Sequence, residues 1–234
     1  MKLSIVIPAL NEAPHIGPLV HHLRRHGGQA LEEILVADGG SEDATREEAA
    51  AAGAQVLRCP QPGRARQMNL GARSARGDML YFVHADTLPP ASYVRDIRQA
   101  FAAGHEMGCY RSRYDSGIFL LKINAFFTRF PFLWCQGGDK TLYIPRTTFE
   151  RLGGYDERYC VMEEYEWYER AAASGIRLHI MPGEVLISAR KYEQRSWLQV
   201  QRANYTAFSL YRRGAAPEQI RDTYQRLLAP RTSP

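Results

Sequence analysis

Short apolar runs alternate with longer amphipathic stretches over the first ninety residues of the chain. The β-branched run at residues 3–7 predicts a first strand, and residues 33–37 and 55–59 are predicted to form the second and a short third strand. Helices are predicted between and after them, over residues 11–26, 42–52 and 64–74. Because strands that alternate with helices pair in parallel through right-handed crossovers, the chain predicts an α/β fold whose first half resembles a nucleotide-binding sheet.

The run Met-Leu-Tyr-Phe-Val at residues 79–83 has no polar face. Such a run is typical of a strand that is buried on both sides of a parallel sheet. Asp86 follows where this strand is expected to end, and ligands in open α/β sheets bind beyond the carboxyl ends of the strands. Asp86 is therefore a candidate site residue, and the alternative is that it only caps the turn before Pro89.

The second half of the chain predicts a less regular succession of elements. In order, these are a helix to about residue 103, strands at 107–114 and 141–144, helices at 147–152 and 163–174, a hairpin of strands at 177–181 and 185–189, and helices at 196–213 and 217–228. No internal repeat or linker interrupts them, which indicates a single domain with a helical tail.

Residues 117–134 form an unusually apolar segment that is rich in phenylalanine. Lys122, Arg129 and Pro131 interrupt it, and it is shorter than the ~20 residues that span a bilayer core. Two interpretations stay open. The segment is a buried helix, which we favour, or a helix that lies on a membrane surface or over an apolar acceptor.

The net charge of +5 allows an anionic partner, such as a nucleotide or a phospholipid surface. The basic residues are dispersed along the chain, which argues against a nucleic-acid partner. The four cysteines are far apart, so neither a zinc site nor a disulfide framework is indicated. The N-terminal residues become polar too early for a signal peptide, and we expect a cytoplasmic protein, in contact with the inner face of the membrane if the apolar segment binds lipid.

Polar residues follow three of the predicted strands, at residues 8–12, 38–43 and 84–86. Carboxylates that converge there can accept hydrogen bonds from a base and a ribose, while one of them holds Mg²⁺ or Mn²⁺ on a diphosphate. Turn and helix-capping chemistry is the alternative explanation for Asp38 and Asp43.

Several segments occur in the order seen in family-two glycosyltransferases, which the chain resembles. They are Ser4-Ile5-Val6-Ile7-Pro8-Ala9-Leu10-Asn11-Glu12, Val36-Ala37-Asp38-Gly39-Gly40-Ser41-Glu42-Asp43, Gly63-Arg64-Ala65-Arg66-Gln67-Met68-Asn69 and Phe82-Val83-His84-Ala85-Asp86-Thr87. Within the family, the chain is similar to the small bacterial branch of radical-SAM/selenodomain-associated glycosyltransferases. Gly138-Asp139, Met162-Glu163-Glu164 and Ser188-Ala189-Arg190-Lys191-Tyr192 also resemble that branch.

The resemblance implies a glycosyltransferase A-type fold, with a mostly parallel central sheet flanked by helices and a C-terminal helical tail. It implies a nucleotide-sugar donor, a divalent cation (Mn²⁺ or Mg²⁺) and transfer with inversion at the anomeric carbon. Residues 1–90 would form the nucleotide-binding half, residues 91–192 the acceptor-side half and residues 193–234 the tail. The acceptor, lipid-linked or a small molecule, and the oligomeric state stay open.

The resemblance also assigns residues to the donor and the metal. The donor residues would be Pro8, Ala9, Asn11, Glu12, Asp38, Arg64, Gln67, Asn69, His84 and Ala85. Asp86 matches the last acid of the family's Asp-x-Asp metal motif, and His84 stands where the first acid is found. His84 is then a weak metal ligand, a neighbour of the metal ligands or a packing residue, and we favour the last two.

Glu164 matches the catalytic acid of the family's Glu-Asp motif, and the resemblance makes it the general base that takes the proton of the acceptor hydroxyl. The N-terminus of a helix favours a charged carboxylate, so we expect Glu164 to be ionised. The alternative is that Glu163, Glu164 and Glu166 are ordinary acids of a first helical turn.

The His84 substitution motivates a second hypothesis, a nucleotide-sugar-binding module that lacks transferase activity. A nucleotidyltransferase is disfavoured because no glycine-rich phosphate loop follows the first strand. Arg190 and Lys191, after the last strand, could meet a diphosphate or a lipid phosphate, or belong to a solvated turn.

Overall fold

A computed structural model describes residues 1–136, 140–193 and 195–229 of the chain. The Gly138-Asp139 segment of the family resemblance lies outside the described residues. Eight strands and nine helices are found in the described part, together with short 3-10 turns at Gly28–Ala30, Leu133–Cys135 and Arg190–Tyr192.

The elements follow one another as the sequence predicted, with few exceptions. The strands are β1 Leu3–Ala9, β2 Leu31–Asp38, β3 Gln55–Arg58, β4 Met79–Phe82, β5 Thr87–Leu88, β6 Met107–Tyr114, β7 Leu142–Pro145 and β8 Leu178–Ile187. The helices are α1 Ala13–Gly27, α2 Thr45–Ala51, α3 Arg64–Ser74, α4 Tyr93–Ala102, α5 Phe119–Phe127, α6 Arg146–Arg151, α7 Glu163–Ala173, α8 Trp197–Arg212 and α9 Pro217–Leu228.

The strands form a single sheet in the order β3-β2-β1-β4-β7-β6-β8-β5. Strands β1 to β4 pair in parallel, whereas β7 joins β4 in the antiparallel direction. Ala9 lies opposite Asp38 at the ends of β1 and β2, and β4 runs alongside β1 in the same direction. The loops that follow these three strands therefore share one edge of the sheet, and the predicted α/β fold is confirmed.

Two apolar cores lie on the two faces of the sheet, and β4 contributes to both because its side chains alternate. Met79 and Tyr81 belong to the core that holds α1, α2 and α4. Leu80 and Phe82 belong to the opposite core, with α3 and α7. All four side chains are buried, which confirms the expectation of a strand covered on both faces.

The predicted hairpin at residues 177–189 is wrong. Instead β8 is one continuous strand that pairs in parallel with β6. The register between the two strands jumps from Tyr110 opposite Met181 to Arg111 opposite Glu184, so Pro182 and Gly183 form an irregularity within the strand. Proline and glycine suit a bulge within a strand as well as the turn of a hairpin.

The favoured burial of residues 117–134 is also wrong. Of the nine residues of α5, only Leu121 is buried, because the helix contacts β6 through one side and leaves its other side in solvent. Phe119 is 70% exposed, and Phe132 and Trp134 are more than half exposed. None of the helices among the described residues is both long enough and apolar enough to cross a bilayer.

Helices α8 and α9 pack against each other after the sheet is complete. Ser196 caps α8 by accepting a hydrogen bond from the Gln199 N–H. Ala207 and Ile220 of the two helices form a small apolar cluster with Met162, the residue before α7. The helical tail thus supports the start of α7, where Glu163 and Glu164 lie. The division into two halves and a tail stays a prediction.

Candidate functional site

The loops after β1 and β2 are joined by hydrogen bonds between their backbones and side chains. The Asn11 N–H donates to the Ser41 hydroxyl at 2.9 Å, and the Glu42 N–H donates to the Asn11 side-chain oxygen at 2.9 Å. The Glu12 N–H donates to the Thr45 hydroxyl at 2.7 Å. Asn11 has a φ of +55°, a conformation that asparagine tolerates better than most residues. The two loops therefore form one rigid rim.

Asp38 closes the end of β2 and is 1% exposed. Its carboxylate accepts hydrogen bonds from the N–H groups of Gly40 and Ser41 at 3.2 Å and forms an ion pair with Arg46 at 3.2 Å. These are the turn contacts that the sequence offered as the alternative for Asp38. Its contact with a nucleoside stays a prediction.

Gln67 ties the ends of β1 and β2 together from below. Its side-chain N–H₂ group donates to the carbonyl oxygens of Ala9 at 2.8 Å and Ala37 at 2.7 Å. Pro8 and Ala9 are the buried last residues of β1. A Cβ at Gly39 would lie 3.0 Å from the Gln67 amide, so the backbone at Gly39 passes close to the Gln67 side chain. Of these predicted donor residues, Pro8 and Ala9 form the buried end of β1, and the Gln67 side chain holds that end against β2.

Asn69 points to a different part of the fold. Its N–H₂ group donates to the Tyr155 carbonyl at 2.9 Å and to Glu157 at 3.0 Å, and its oxygen accepts from the Tyr155 N–H at 2.9 Å. These bonds make Asn69 a support of the turn at Tyr155, and they give no support to the predicted donor contact.

His84 and Glu164 meet in the interior, although 80 residues separate them in sequence. Nε2 of His84 lies 3.2 Å from Oε1 of Glu164, and each side chain is 8% exposed. Burial raises the pKa of Glu164, while the His84 hydrogen bond and charge oppose that rise. The expectation that the helix N-terminus keeps Glu164 ionised therefore meets a larger opposing effect, the loss of water around the carboxylate.

Glu163 and Arg64 form an ion pair beside this cluster. Arg64 Nη1 lies 3.3 Å from Glu163 Oε1, and the arginine is 42% exposed while the glutamate is 4% exposed. Arg64 begins α3 and Glu163 begins α7, so the pair links two helix N-termini. The exposed side of the guanidinium leaves it accessible to an anionic ligand.

Asp86 and Glu12 share a positive partner, Arg190. The guanidinium of Arg190 lies 3.6 Å from Asp86 Oδ2 and also bonds to Glu12 Oε1. The second oxygen of Glu12 is buried and makes no hydrogen bond among the described residues. The sequence presented Arg190 only as a basic residue after the last strand, and no local spacing could pair it with an acid 178 positions away.

A cleft of about 180 Å³ opens beside Asp86. Residues of α1, the stretch around β5 and the end of β8 line it, namely Pro14, His15, Pro18, Leu19, Ala85, Asp86, Thr87, Leu88, Asp115, Leu186 and Ser188. Neither Asp38 nor Glu164 lines this cleft. Contacts nevertheless connect Glu164 to Glu12: Glu164 contacts His84, which precedes Asp86 by two residues, and Asp86 and Glu12 share Arg190. Asp38 is not part of this series and pairs with Arg46 instead.

The described part of the chain contains no group of three or more histidine, cysteine or acidic side chains that could hold a metal ion by themselves. Mg²⁺ in nucleotide sites commonly uses one or two carboxylates and takes its other ligands from phosphates and water. Asp86, 19% exposed and paired with a cationic group, fits that limited donor set. The residues present are therefore compatible with a divalent cation that binds together with a diphosphate.

Comparison with known proteins places this site in a family context. The family model described as "Glycosyl transferase family 2" matches residues 4–150, which include Asp38, His84 and Asp86 and end before Glu164. Glucosyl-3-phosphoglycerate synthase of Mycolicibacterium smegmatis is 34% identical over 96 residues, 38% of this chain and 32% of that protein. Succinoglycan biosynthesis protein ExoA of Rhizobium meliloti is 29% identical over 198 residues, 74% of this chain and 59% of that protein. The chain thus matches less than two thirds of the length of either relative.

Solved structures share the fold at low sequence identity. Glucosyl-3-phosphoglycerate synthase from Mycobacterium tuberculosis, in complex with Mg²⁺ and uridine diphosphate, superposes with a TM-score of 0.65 at 18% identity, covering 92% of this chain and 80% of that one. S. aureus TarS in complex with UDP-GlcNAc superposes with a TM-score of 0.65 at 16% identity, covering 81% of this chain and 59% of that one.

Proposed function

The chain belongs to glycosyl transferase family 2, and we propose that it transfers a sugar from a nucleotide-sugar donor to an acceptor hydroxyl with inversion at the anomeric carbon. The observation that carries this proposal is the buried contact between His84 and Glu164. His84 lies two residues before Asp86, the proposed metal carboxylate. It joins a candidate general base to the edge of the sheet where ligands of α/β folds bind.

The donor would lie over the rim formed by the loops after β1, β2 and β4. We assign the donor contacts to Pro8, Ala9, Asn11, Glu12, Asp38, Arg64, Gln67, His84 and Ala85. The exposed guanidinium of Arg64 is suited to the negative charge of a diphosphate. Solved structures that share the fold contain uridine diphosphate or UDP-GlcNAc, which supports a nucleotide donor for this chain.

Asp86 would hold a divalent cation, Mg²⁺ or Mn²⁺. When bound, this cation would neutralise the charge that develops on the leaving diphosphate. The ion pair between Asp86 and Arg190, with Glu12 on the same guanidinium, supports a preference for positive charge at this position. Glu12 would remain near Asp86, because both carboxylates contact the Arg190 guanidinium.

Glu164 would act as the general base. Its carboxylate would take the proton of the attacking acceptor hydroxyl, and the raised pKa makes it a stronger base than an ordinary glutamate. His84 would orient the carboxylate through the 3.2 Å contact and limit the rise of its pKa. The position equivalent to the family's first metal acid would thus serve the base rather than the metal.

We assign the chain to the radical-SAM/selenodomain-associated branch, because Met162-Glu163-Glu164 and residues 188–192 resemble that branch outside the part that the family model matches. The acceptor would be a small molecule or a lipid-linked hydroxyl. A binding module without transferase activity is the second candidate, since His84 leaves a single acid of the Asp-x-Asp pair in place.

A thermal-shift screen with nucleoside diphosphates, in the presence and absence of Mn²⁺, tests the donor part of the proposal. A ligand that binds only the folded state raises the melting temperature. We expect one nucleoside diphosphate to stabilise the protein, and more strongly with Mn²⁺ than without it. No shift with any nucleoside diphosphate under either condition would contradict the proposal.

A further inference from the structure

We propose that an exposed apolar surface on α5 and the turn after it docks on the surface of an anionic lipid bilayer. We call this surface the aromatic patch. Its members are exposed by more than a third of their area and are Ile118, Phe119, Leu120, Ile123, Phe126, Phe127, Phe132 and Trp134. Globular proteins that remain in water rarely expose so many large apolar side chains together.

Four aromatic rings of the patch form one continuous group. The rings of Phe127 and Trp134 are 5.5 Å apart, and those of Phe132 and Trp134 are 6.3 Å apart and nearly parallel. Phe126 also contacts the Phe127 ring at 5.6 Å. Contacts between α5 and the following turn therefore hold these aromatic side chains side by side. No other element among the described residues covers them.

The charge around the aromatic patch selects an anionic partner. Residues 117–136 contain Lys122 and Arg129 and no acidic residue. Both basic side chains are exposed, and the Arg129 guanidinium lies 4.2 Å from the centre of the Phe126 ring. Aromatic residues with lysine and arginine at their border are typical of helices that bind at the lipid–water interface. A symmetric dimer through the same face would bring these like charges together, which disfavours a second copy of the chain as the partner.

The dimensions of α5 restrict the mode of contact. Its nine residues span about 13 Å, less than half of the ~30 Å hydrocarbon core of a bilayer. The helix would therefore lie in the plane of the interface, with Phe119 and Trp134 inserted among the lipid chains and the basic side chains at the headgroups.

The aromatic patch is attached to the candidate site. The turn Leu133–Cys135, which carries Trp134, contacts α7, the helix that begins with Glu163 and Glu164. The buried Lys140 holds together the two ends of the stretch 128–136, which follows α5. Its Nζ donates to the Thr128 carbonyl at 2.9 Å and to the Gln136 side chain at 2.7 Å. Docking would bring the proposed base close to the lipid–water boundary. The acceptor hydroxyl would then be presented at that boundary. This consequence rests on the proposed function, whereas the lipid binding does not depend on it.

Flotation of the full chain with vesicles tests the proposal. Vesicles of phosphatidylcholine alone are compared with vesicles that also contain phosphatidylglycerol, at low and at high salt. We expect binding to the anionic vesicles that weakens as salt screens the charges. The double variant Phe119→Ser with Trp134→Ser should bind at least about tenfold more weakly, because two exposed aromatic side chains lose their burial in lipid. Lys122→Glu should weaken binding to the anionic vesicles only.

Leu198→Ser is the matched control, since Leu198 is a 72% exposed apolar residue on α8 outside the aromatic patch. It should bind vesicles as the parent chain does.

Sedimentation velocity of the parent chain and the double variant tests the alternative that a second copy of the chain covers the aromatic patch. The absence of binding to anionic vesicles, equal binding by the double variant, or a dimer that the double variant dissolves would each overturn the proposal. The double variant should keep the thermal shift with nucleoside diphosphate and Mn²⁺. Loss of vesicle binding with that shift retained therefore bears on docking alone, and a missing shift in the parent chain bears on the proposed function alone.

Discussion

Nε2 of His84 lies 3.2 Å from Oε1 of Glu164 in the interior of the protein. The contact connects the end of β4 to the first turn of α7, and both side chains are almost fully buried. Under the proposed mechanism, this contact lets a chain that has a histidine in place of the family's first metal acid orient its base.

Replacement of Glu164 by glutamine should reduce transfer by about 10²–10⁴-fold, the usual contribution of a general base. Glutamine keeps the size and a hydrogen bond to His84, but it cannot accept the proton. Turnover measured with donor and acceptor, or with water as the acceptor, checks this outcome. The thermal shift with nucleoside diphosphate should stay as in the parent chain.

Glu166→Gln is a control for this experiment, because Glu166 lies in the same first turn and pairs with Arg170 at 2.7 Å. Turnover close to that of the parent chain is expected from it. Unchanged turnover in Glu164→Gln would remove Glu164 as the base.

Replacement of His84 by asparagine should move the acid limb of the pH profile to higher pH. Burial raises the pKa of Glu164, and the His84 hydrogen bond and charge lower it. Without His84, the pKa of Glu164 rises further, so the active carboxylate form is reached only at higher pH. Measurement of kcat/KM against pH for both proteins checks the direction. An acid limb that stays in place or moves to lower pH would show that His84 does not lower the pKa of Glu164.

Replacement of Asp86 by asparagine should abolish the extra stabilisation that Mn²⁺ gives to the complex with nucleoside diphosphate. A neutral amide is a much poorer ligand for Mg²⁺ or Mn²⁺ than a carboxylate. Thermal shifts with and without Mn²⁺ measure the difference. Asp78→Asn is the control, since this 72% exposed acid precedes β4 at the opposite edge of the sheet. A Mn²⁺ effect of equal size in Asp86→Asn and in the parent chain would place the metal elsewhere.

Replacement of Asn69 by alanine should destabilise the protein by about 1–3 kcal/mol, since the Tyr155 backbone loses two buried hydrogen-bond partners. Urea unfolding measures the free energy of unfolding. Donor affinity should change little in the folded variant. A loss of donor affinity at unchanged stability would instead restore Asn69 to the donor site, as the family resemblance had implied.

The first half of the fold could be predicted because its signals are local. Apolar runs of four to eight residues define β1, β2 and β4, and Gly27, Gly53 and Gly63 lie at the borders of helices. The carboxyl ends of these strands then had to share an edge, as they do. Pro182 and Gly183 were ambiguous by themselves, because only the pairing of β8 with β6 decides between a turn and a bulge.

The rest of the site depends on contacts that no local pattern records. Arg190 is far from Glu12 and Asp86 along the chain, yet the fold brings it to both. Composition alone favoured a buried α5, because apolar residues are usually inside. The helix is exposed because it packs on β6 through one side only. None of the other described elements covers its opposite side.

Release of nucleoside diphosphate from a panel of nucleotide-sugars tests the central claim most directly. The assay compares the parent chain with Glu164→Gln, each with Mn²⁺ and with a chelator. The account predicts that the parent chain turns over at least one nucleotide-sugar, that the chelator stops this turnover, and that Glu164→Gln loses it by about 10²-fold or more. A parent chain that binds a nucleotide-sugar but turns over none of them with Mn²⁺ or Mg²⁺, even with acceptors supplied, would contradict the transferase and favour the binding module.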